Sequence, residues 1–310
     1  MTNPEPRKPL ALIAGPTASG KTALALHLAK SRDVAIINAD SAQVYSALPI
    51  LSAQPSAEEM ASTPHRLFGY LDGSTACSAA RWANDARAEV RAAHEAGRLP
   101  VLVGGTGLYL RTLLDGIAPV PEVDPQLRAN IRALDVDVAY ARLEEMDPPM
   151  AATLAPADGA RIMRALEVVE GTGRSIADWR KDKSGGIADE VSLHPLVLLP
   201  PRDWLYARCD RRFETMMAAG AVDEVRALLA RKLPVDAPML RAIGVPEIAT
   251  MLAGTIDEAE AIALGQTATR QYAKRQYTWF RNQSSPGWPR WQSEINDSNF
   301  DEIETLFHLL

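Results

Sequence analysis

Residues 15–22 read Gly15-Pro16-Thr17-Ala18-Ser19-Gly20-Lys21-Thr22, the pattern G-x-x-x-x-G-K-[ST]. Glycines at this spacing let successive backbone N–H groups turn toward one anion, and a helix beginning at the last residues adds its positive end. Lys21 would lie against terminal phosphates and the Thr22 hydroxyl would hold Mg²⁺. The chemistry is the grip of a diphosphate or polyphosphate. Such a loop most often holds ATP, but alone it does not say which ligand it serves. Asp40, in Asn38-Ala39-Asp40-Ser41-Ala42-Gln43-Val44-Tyr45, is the second chemical group. A carboxylate there can hold Mg²⁺ or act as a general base on a nucleophile. An N-cap aspartate opening a helix is the plain alternative. Ser41 and Gln43 add hydrogen-bonding groups, and a glutamine amide can pair with an adenine edge. Gly104-Gly105-Thr106-Gly107 is the third segment. Its glycines permit close backbone approach to a ligand, or simply a tight strand-to-helix turn.

These segments follow short apolar runs at 10–14, 34–38 and 101–103, rich in Ile, Val and Leu as buried parallel strands are. A fourth run lies at 196–199, before Pro200-Pro201. Helical patterns separate them, notably 78–97, where Gly97 can cap the end. The alternation predicts an α/β fold with a P-loop NTPase-like parallel sheet core. It places all three chemical segments at the carboxyl edge of the sheet, where open parallel sheets bind ligands. Pro119, Pro121 and Pro125 mark a change of pattern. Residues 139–146 and 161–170 have helical apolar spacing, and Ser184-Gly185-Gly186 reads as a flexible return. The expected division is therefore a first part of the core at 1–118, a helical insertion domain at 119–192, and completion of the core with C-terminal helices at 193–310. Later helices are expected over 203–219, 222–232, 239–252 and 257–281.

Composition limits the alternatives. Of the 310 residues, 47% are hydrophobic and 23% charged, and no run approaches the ~18 apolar residues of a membrane span. Residues 1–9 lack the apolar core of a signal peptide. With only Cys77 and Cys209, neither a disulfide framework nor a thiolate metal site is written here, which fits a cytoplasmic protein. His27, His65, His94, His194 and His308 are scattered without ligand spacing, so no zinc site is expected. A net charge of −6 argues against coating nucleic acid by bulk electrostatics. A local basic patch exists all the same: 261–293 holds no Asp or Glu but carries Arg270, Lys274, Arg275, Arg281 and Arg290.

Taken in order, GPTASGKT (15–22), DSAQVY (40–45), Pro64-His65-Arg66-Leu67, LVGGTGLYL (102–110), Arg161–Val168 and Ala268–Gln276, closing with Thr278-Trp279-Phe280-Arg281, resemble the tRNA dimethylallyltransferases, or isopentenyl-diphosphate:tRNA transferases. The last segment is the most specific, because ordinary P-loop kinases have nothing like it. The resemblance implies transfer of a dimethylallyl group from dimethylallyl diphosphate to N6 of adenosine 37 of tRNA, with Mg²⁺ as cofactor and Thr22 as its ligand. It implies a catalytic set of Asp40 as proton acceptor, Thr17 near the bridging oxygen of the leaving group, Lys21, and Arg212 on the diphosphate side. It implies diphosphate binding by 15–22. It also implies tRNA contacts at Asp40, Ser41, Ala42, Gln43, Thr106, Arg128, Arg161, Arg164, Arg270, Lys274 and Arg275. A monomer with no membrane partner is expected. The chain departs from its relatives at Gln54, Ala157 and Val245, where Lys, Asn and Tyr are usual. A small-molecule kinase explains residues 1–110 but leaves the basic segment without a task. A free-adenylate prenyltransferase would need neither that segment nor the insertion. A P-loop regulatory protein would want a second strand-end acid.

Overall fold

A run of residues with no polar side chain can be tolerated in a strand only where both faces are covered. Residues 10–14 are such a run, and all are fully buried. The structure, a computed structural model, describes residues 6–235 and 237–307; His308 lies outside them. The chain forms two compact units, one running up to Leu113 and resuming at Ala188, the other Leu114–Ile187.

In the larger unit the strands are β1 (Lys8–Ala14), β2 (Val34–Asn38), β3 (His65–Arg66), β4 (Leu99–Gly104), β5 (Val191–Leu198) and β6 (Arg290–Trp291). They make one sheet in the order β3-β2-β4-β1-β5-β6, and every pairing is parallel. From β1 the chain crosses over β4 to reach β2. From β4 it passes through the second unit to β5, on the other side of β1. The connections therefore diverge between β1 and β4, the switch point at which such sheets bind ligands. Ala14 pairs with Gly104, and Asn38 with Val103, so all three chemical loops leave the sheet at one level.

Helices flank the sheet: α1 (Lys21–Ser31), α2 (Ala57–Ser62), α3 (Ala79–Glu95) and α4 (Gly107–Asp115). The Ser78 hydroxyl starts α3 by accepting from Arg81 N–H, and Gly97 follows its end in the left-handed region. Leu24, Leu28, Ile13, Val101 and Ile303 share the core on one side of the sheet. The expected strands appear: β2 coincides with its apolar run, and β1, β4 and β5 begin before theirs. β5 starts at Val191 because its first half pairs only with β1; Pro195 sits where the short β6 does not reach, so its missing N–H breaks no ladder. Two-residue β3 and β6 carry too little pattern to be seen in the sequence.

The second unit packs α5 (Pro125–Arg132), α6 (Val136–Met146), α7 (Pro148–Ala151), α8 (Gly159–Thr172) and α9 (Ile176–Trp179) around Ile131, Leu143, Ile162 and Leu166. Its two ends are pinned together. Ile117 and Ser184 exchange N–H···O bonds of 3.0 and 3.1 Å, and a Cβ at Gly186 would stand 2.3 Å from the Leu114 carbonyl. The segment Ser184-Gly185-Gly186 is thus not the flexible return expected from its composition; its glycines serve a close crossing of two backbones.

The remaining helices belong to the larger unit: α10 (Arg202–Ala218), α11 (Ala221–Ala230), α12 (Val245–Leu252), α13 (Glu258–Gln283) and α14 (Phe300–Thr305). The single helix expected over 239–252 is broken. A 3₁₀ turn at Pro238–Arg241 ends, and α12 begins after Gly244, whose φ is +94°. The Gly244 N–H donates to the Glu247 carboxylate, and a Cβ there would meet Leu51 at 2.7 Å.

Candidate active site

The phosphate loop connects β1 to α1. No acid stands in the first turn of α1, so its amino end keeps its positive field for an anion. Lys21 folds back, its ammonium donating to the Pro16 carbonyl at 2.6 Å. Burial pulls its pKa down to about 8; the nearby Arg212 adds to the fall and the Asp40 carboxylate opposes it. Arg212, on α10, is lowered by burial as well, again with Asp40 as the countering charge. Asp40 is thus the shared anionic neighbour of both cations. Cys209, one turn before Arg212, has its thiol pushed up to about 11 by burial.

Asp40 begins no helix, which disposes of the N-cap alternative. Its Oδ1 accepts from Ala42 N–H at 3.0 Å. Behind it the fully buried Asn38 accepts from Asp40 N–H at 2.8 Å and donates to the carbonyls of Asp40 and Leu67. The Trp82 indole N–H closes this bracket on the Asn38 carbonyl at 2.8 Å. Beside it, the Thr106 hydroxyl accepts from Ser41 N–H at 2.9 Å and donates to Ser41 Oγ at 3.2 Å. The Tyr272 side chain, from α13, neighbours both; burial, with the Asp40 charge second, raises its pKa.

The glycines after β4 serve the protein itself. A Cβ at Gly104 would stand 2.1 Å from the Ala39 backbone, at Gly105 2.1 Å from Gln276 Nε2, and at Gly107 2.4 Å from the Trp279 ring. The buried Gln276 amide accepts from Thr17 N–H at 2.8 Å and donates to the Gly105 carbonyl at 2.9 Å. One side chain of α13 therefore ties the phosphate loop to the loop after β4. On α10, Arg208 Nε donates to the Ala18 carbonyl at 3.0 Å.

Between these groups opens a cavity of about 440 Å³. Thr17, Asp40, Ser41, Ala42, Arg212 and Arg275 line it, as do Cys209 and Tyr272; Leu48, Leu51, Phe213, Met216 and Met239 give it an apolar side. Gln43 does not line it. Its amide donates to the Ser52 and Ala53 carbonyls at 3.0 and 2.8 Å, bracing the loop that carries Leu48 and Leu51. Arg270 is paired with Asp210 at 2.5 Å, and Lys274 is exposed. In the second unit, Glu167 is 1% exposed and faces Arg132 at 2.9 Å, Arg164 at 3.2 Å and Arg128 at 3.7 Å. Arg161 is largely exposed and pairs with Asp158.

Sequence reasoning missed Asn38, Cys209, Tyr272 and Gln276. Asn38 closes an otherwise apolar strand and so could have been questioned. Gln276 gives no such sign, because its partners are distant in sequence. Thr22 is exposed on the first turn of α1, and no cluster of three or more His, Cys, Asp or Glu that could hold a metal occurs among the described residues.

Residues 43–283 match the sequence profile of the family described as IPP transferase. The tRNA dimethylallyltransferase of Sphingopyxis alaskensis is 59% identical over 298 residues, covering 96% of each chain. That of Zymomonas mobilis is 50% identical over 299 residues, also covering 96% of each. Among solved structures, the full-length tRNA isopentenylpyrophosphate transferase of Bacillus halodurans is 32% identical, with a TM-score of 0.69 over 97% of both chains. A eukaryotic dimethylallyltransferase captured acting on tRNA is 25% identical, with a TM-score of 0.83 over 96% of this chain and 77% of the other. On sequence over nearly its whole length, and on the architecture that surrounds its phosphate loop, the chain belongs to the IPP transferase family.

Proposed function

We propose that this chain transfers a dimethylallyl group from dimethylallyl diphosphate to N6 of an adenine in tRNA, adenosine 37 beside the anticodon. The observation that carries the reading is the juxtaposition of Thr17 of the phosphate loop, Arg212 and the Asp40 carboxylate on one cavity that also has an apolar side. A kinase acting on a small polar molecule has no use for that apolar side.

In the reaction, the N6–C1 bond forms as the C1–O bond of the allylic diphosphate breaks, and diphosphate departs. An exocyclic adenine amine is a poor nucleophile because its lone pair is delocalised into the ring. The electrophile must therefore be made good by stabilising its leaving group. The loop amides, Lys21 and Arg212 supply the positive charge. Lys21, its pKa drawn down to about 8, is partly discharged at mildly basic pH, and an arriving diphosphate restores its charge. Asp40, held by Asn38 and Ala42, takes the N6 proton. The adenine reaches it only when unstacked from its loop and turned into the cavity, as enzymes acting on stacked bases require. Ser41, Ala42 and Thr106 stand on that side; Arg275 lines the cavity from α13, with Lys274 exposed beside it. Arg128, Arg161 and Arg164 would meet tRNA phosphates, with Glu167 fixing two of the three.

The donor set suits Mg²⁺, which takes few protein ligands and completes its shell with phosphate oxygens and water. Thr22 would hold it, and the ion would add positive charge to the departing diphosphate.

Incubation with Mg²⁺, radiolabelled dimethylallyl diphosphate and unmodified tRNA carrying adenosines 36 and 37, followed by digestion to nucleosides, tests the reading. Label in N6-dimethylallyladenosine is expected. Label on added AMP and none on tRNA would overturn it in favour of a free-adenylate prenyltransferase.

A further inference from the structure

The face of α10 that borders the cavity carries Cys209, Arg212, Phe213 and Met216, at i, i+3, i+4 and i+7. Arg212 neighbours Lys21 and Asp40 in charge and Cys209 neighbours Lys21, so these two mark the diphosphate end. The last two are apolar. The helix thus works as a ruler laid along the donor, with the leaving group at one end and the hydrocarbon at the other. Helical rise puts Met216 about 6 Å beyond Arg212 along the axis. A five-carbon allylic chain reaches about 5 Å from its oxygen by ordinary bond lengths. With the leaving group held at Arg212, Met216 would stand where a second isoprene unit has to begin.

Its neighbour Phe213 cannot play this part. Phe213 is 2% exposed and wedged in place: a Cβ at Gly265 would lie 2.0 Å from its Cζ, and one at Gly244 3.2 Å from its Cε2. It is a fixed wall. Met216 is half-buried and unbranched, and it lines the same cavity as Leu51 and Met239. We infer that Met216 is the residue that sets the length of the prenyl donor, admitting a C5 chain and turning away C10 allylic diphosphates. This rests on the prenyl-transfer reading above.

The experiment is a competition between dimethylallyl and geranyl diphosphates for one unmodified tRNA, with the prenylated nucleosides counted by mass spectrometry. Misfit of a hydrocarbon in such a pocket is worth about 10- to 200-fold in selectivity. In Met216→Ala the geranyl-to-dimethylallyl product ratio should rise at least about tenfold over the wild-type chain, at the low end of that range. Met216→Leu, which refills the volume, should bring the ratio back toward wild type. If Met216→Ala does not fold by circular dichroism, Met216→Val carries the same test with a smaller rise. An unchanged ratio in a folded variant overturns the inference. Absence of any dimethylallyl transfer by the wild-type chain instead overturns the reading on which it rests, so the two failures are distinguishable.

Discussion

Replacing Gln276 tests whether α13 holds the phosphate loop in shape. A glutamate is isosteric with it, whereas a leucine is one methylene shorter and has no hydrogen-bonding group, so the two substitutions fail differently. Gln276→Leu leaves the Gly105 carbonyl buried and unpaired and the Thr17 N–H partly so. Each orphaned group costs about 1–3 kcal/mol, less where solvent reaches it, giving a loss of about 2–4 kcal/mol. Gln276→Glu can still accept from Thr17 N–H, but only its protonated form can donate to the Gly105 carbonyl. Its folded-state pKa must then rise above the ~4.3 of an unfolded glutamate. A group raised in this way contributes fully below its unfolded pKa and loses that contribution as pH climbs through the folded value. The variant should therefore match the parent near pH 4.5 and fall behind by about 2–3 kcal/mol at pH 8 if the rise is about two units. Urea midpoints followed by tryptophan fluorescence at both pH values read this directly. KM for the diphosphate donor, measured alongside, should rise in both variants. Equal midpoints for Gln276→Leu and the parent, or a Gln276→Glu deficit that is the same at both pH values, would refute the bracing argument.

Asp40→Ala should lower single-turnover transfer by about 10²–10⁴ while leaving tRNA affinity largely intact; a near-wild-type rate would remove Asp40 from the proton step. Because the Lys21 pKa is drawn down to about 8, binding of inorganic diphosphate above that pH should take up a proton, and affinity should fall as pH rises further. Calorimetry in two buffers of different ionisation enthalpy at pH 8.5 reads the proton; no buffer dependence would count against it. The same depression means the unfolded chain binds more protons between pH 8 and 10.5, so this lysine makes the folded state gain stability as pH rises across that window. Lys274→Glu should weaken tRNA binding and reduce the slope of log K against log salt by about one or more. Arg270 is the poorer probe, since a carboxylate there would face Asp210.

What the sequence disclosed is what repeats along it. Residues 10–14 and 34–38 could be recognised as strands because a strand covered on both faces has no polar positions to interrupt it. Asp40 and Thr106 could be set at one edge because parallel strands all end on the same side. The 3₁₀ turn and break at Gly244 escaped because the residues around it keep helical apolar spacing, and the close approach of Leu51, which leaves no room for a side chain there, comes from far away in the chain. The glycines at 104, 105 and 107 looked like room for a ligand; their space is taken by Ala39, Gln276 and Trp279. Gln43 looked like a reader of bases, yet its amide donors are spent on the carbonyls of Ser52 and Ala53. For the glycines the missing knowledge was a partner remote in sequence; for Gln43 it was a turn nine and ten residues on.

The bond from Thr17 N–H to Gln276 joins residues 259 apart, and the bond from Gln276 to Gly105 spans 171. Contacts so distant are made late, after local helices and neighbouring strands, because the loop they close must first be ordered. The eight-residue motif is therefore expected to be insufficient by itself on refolding, because the loop is untied until α13 docks. Recovery of diphosphate binding should mark the docking of α13 on the loop.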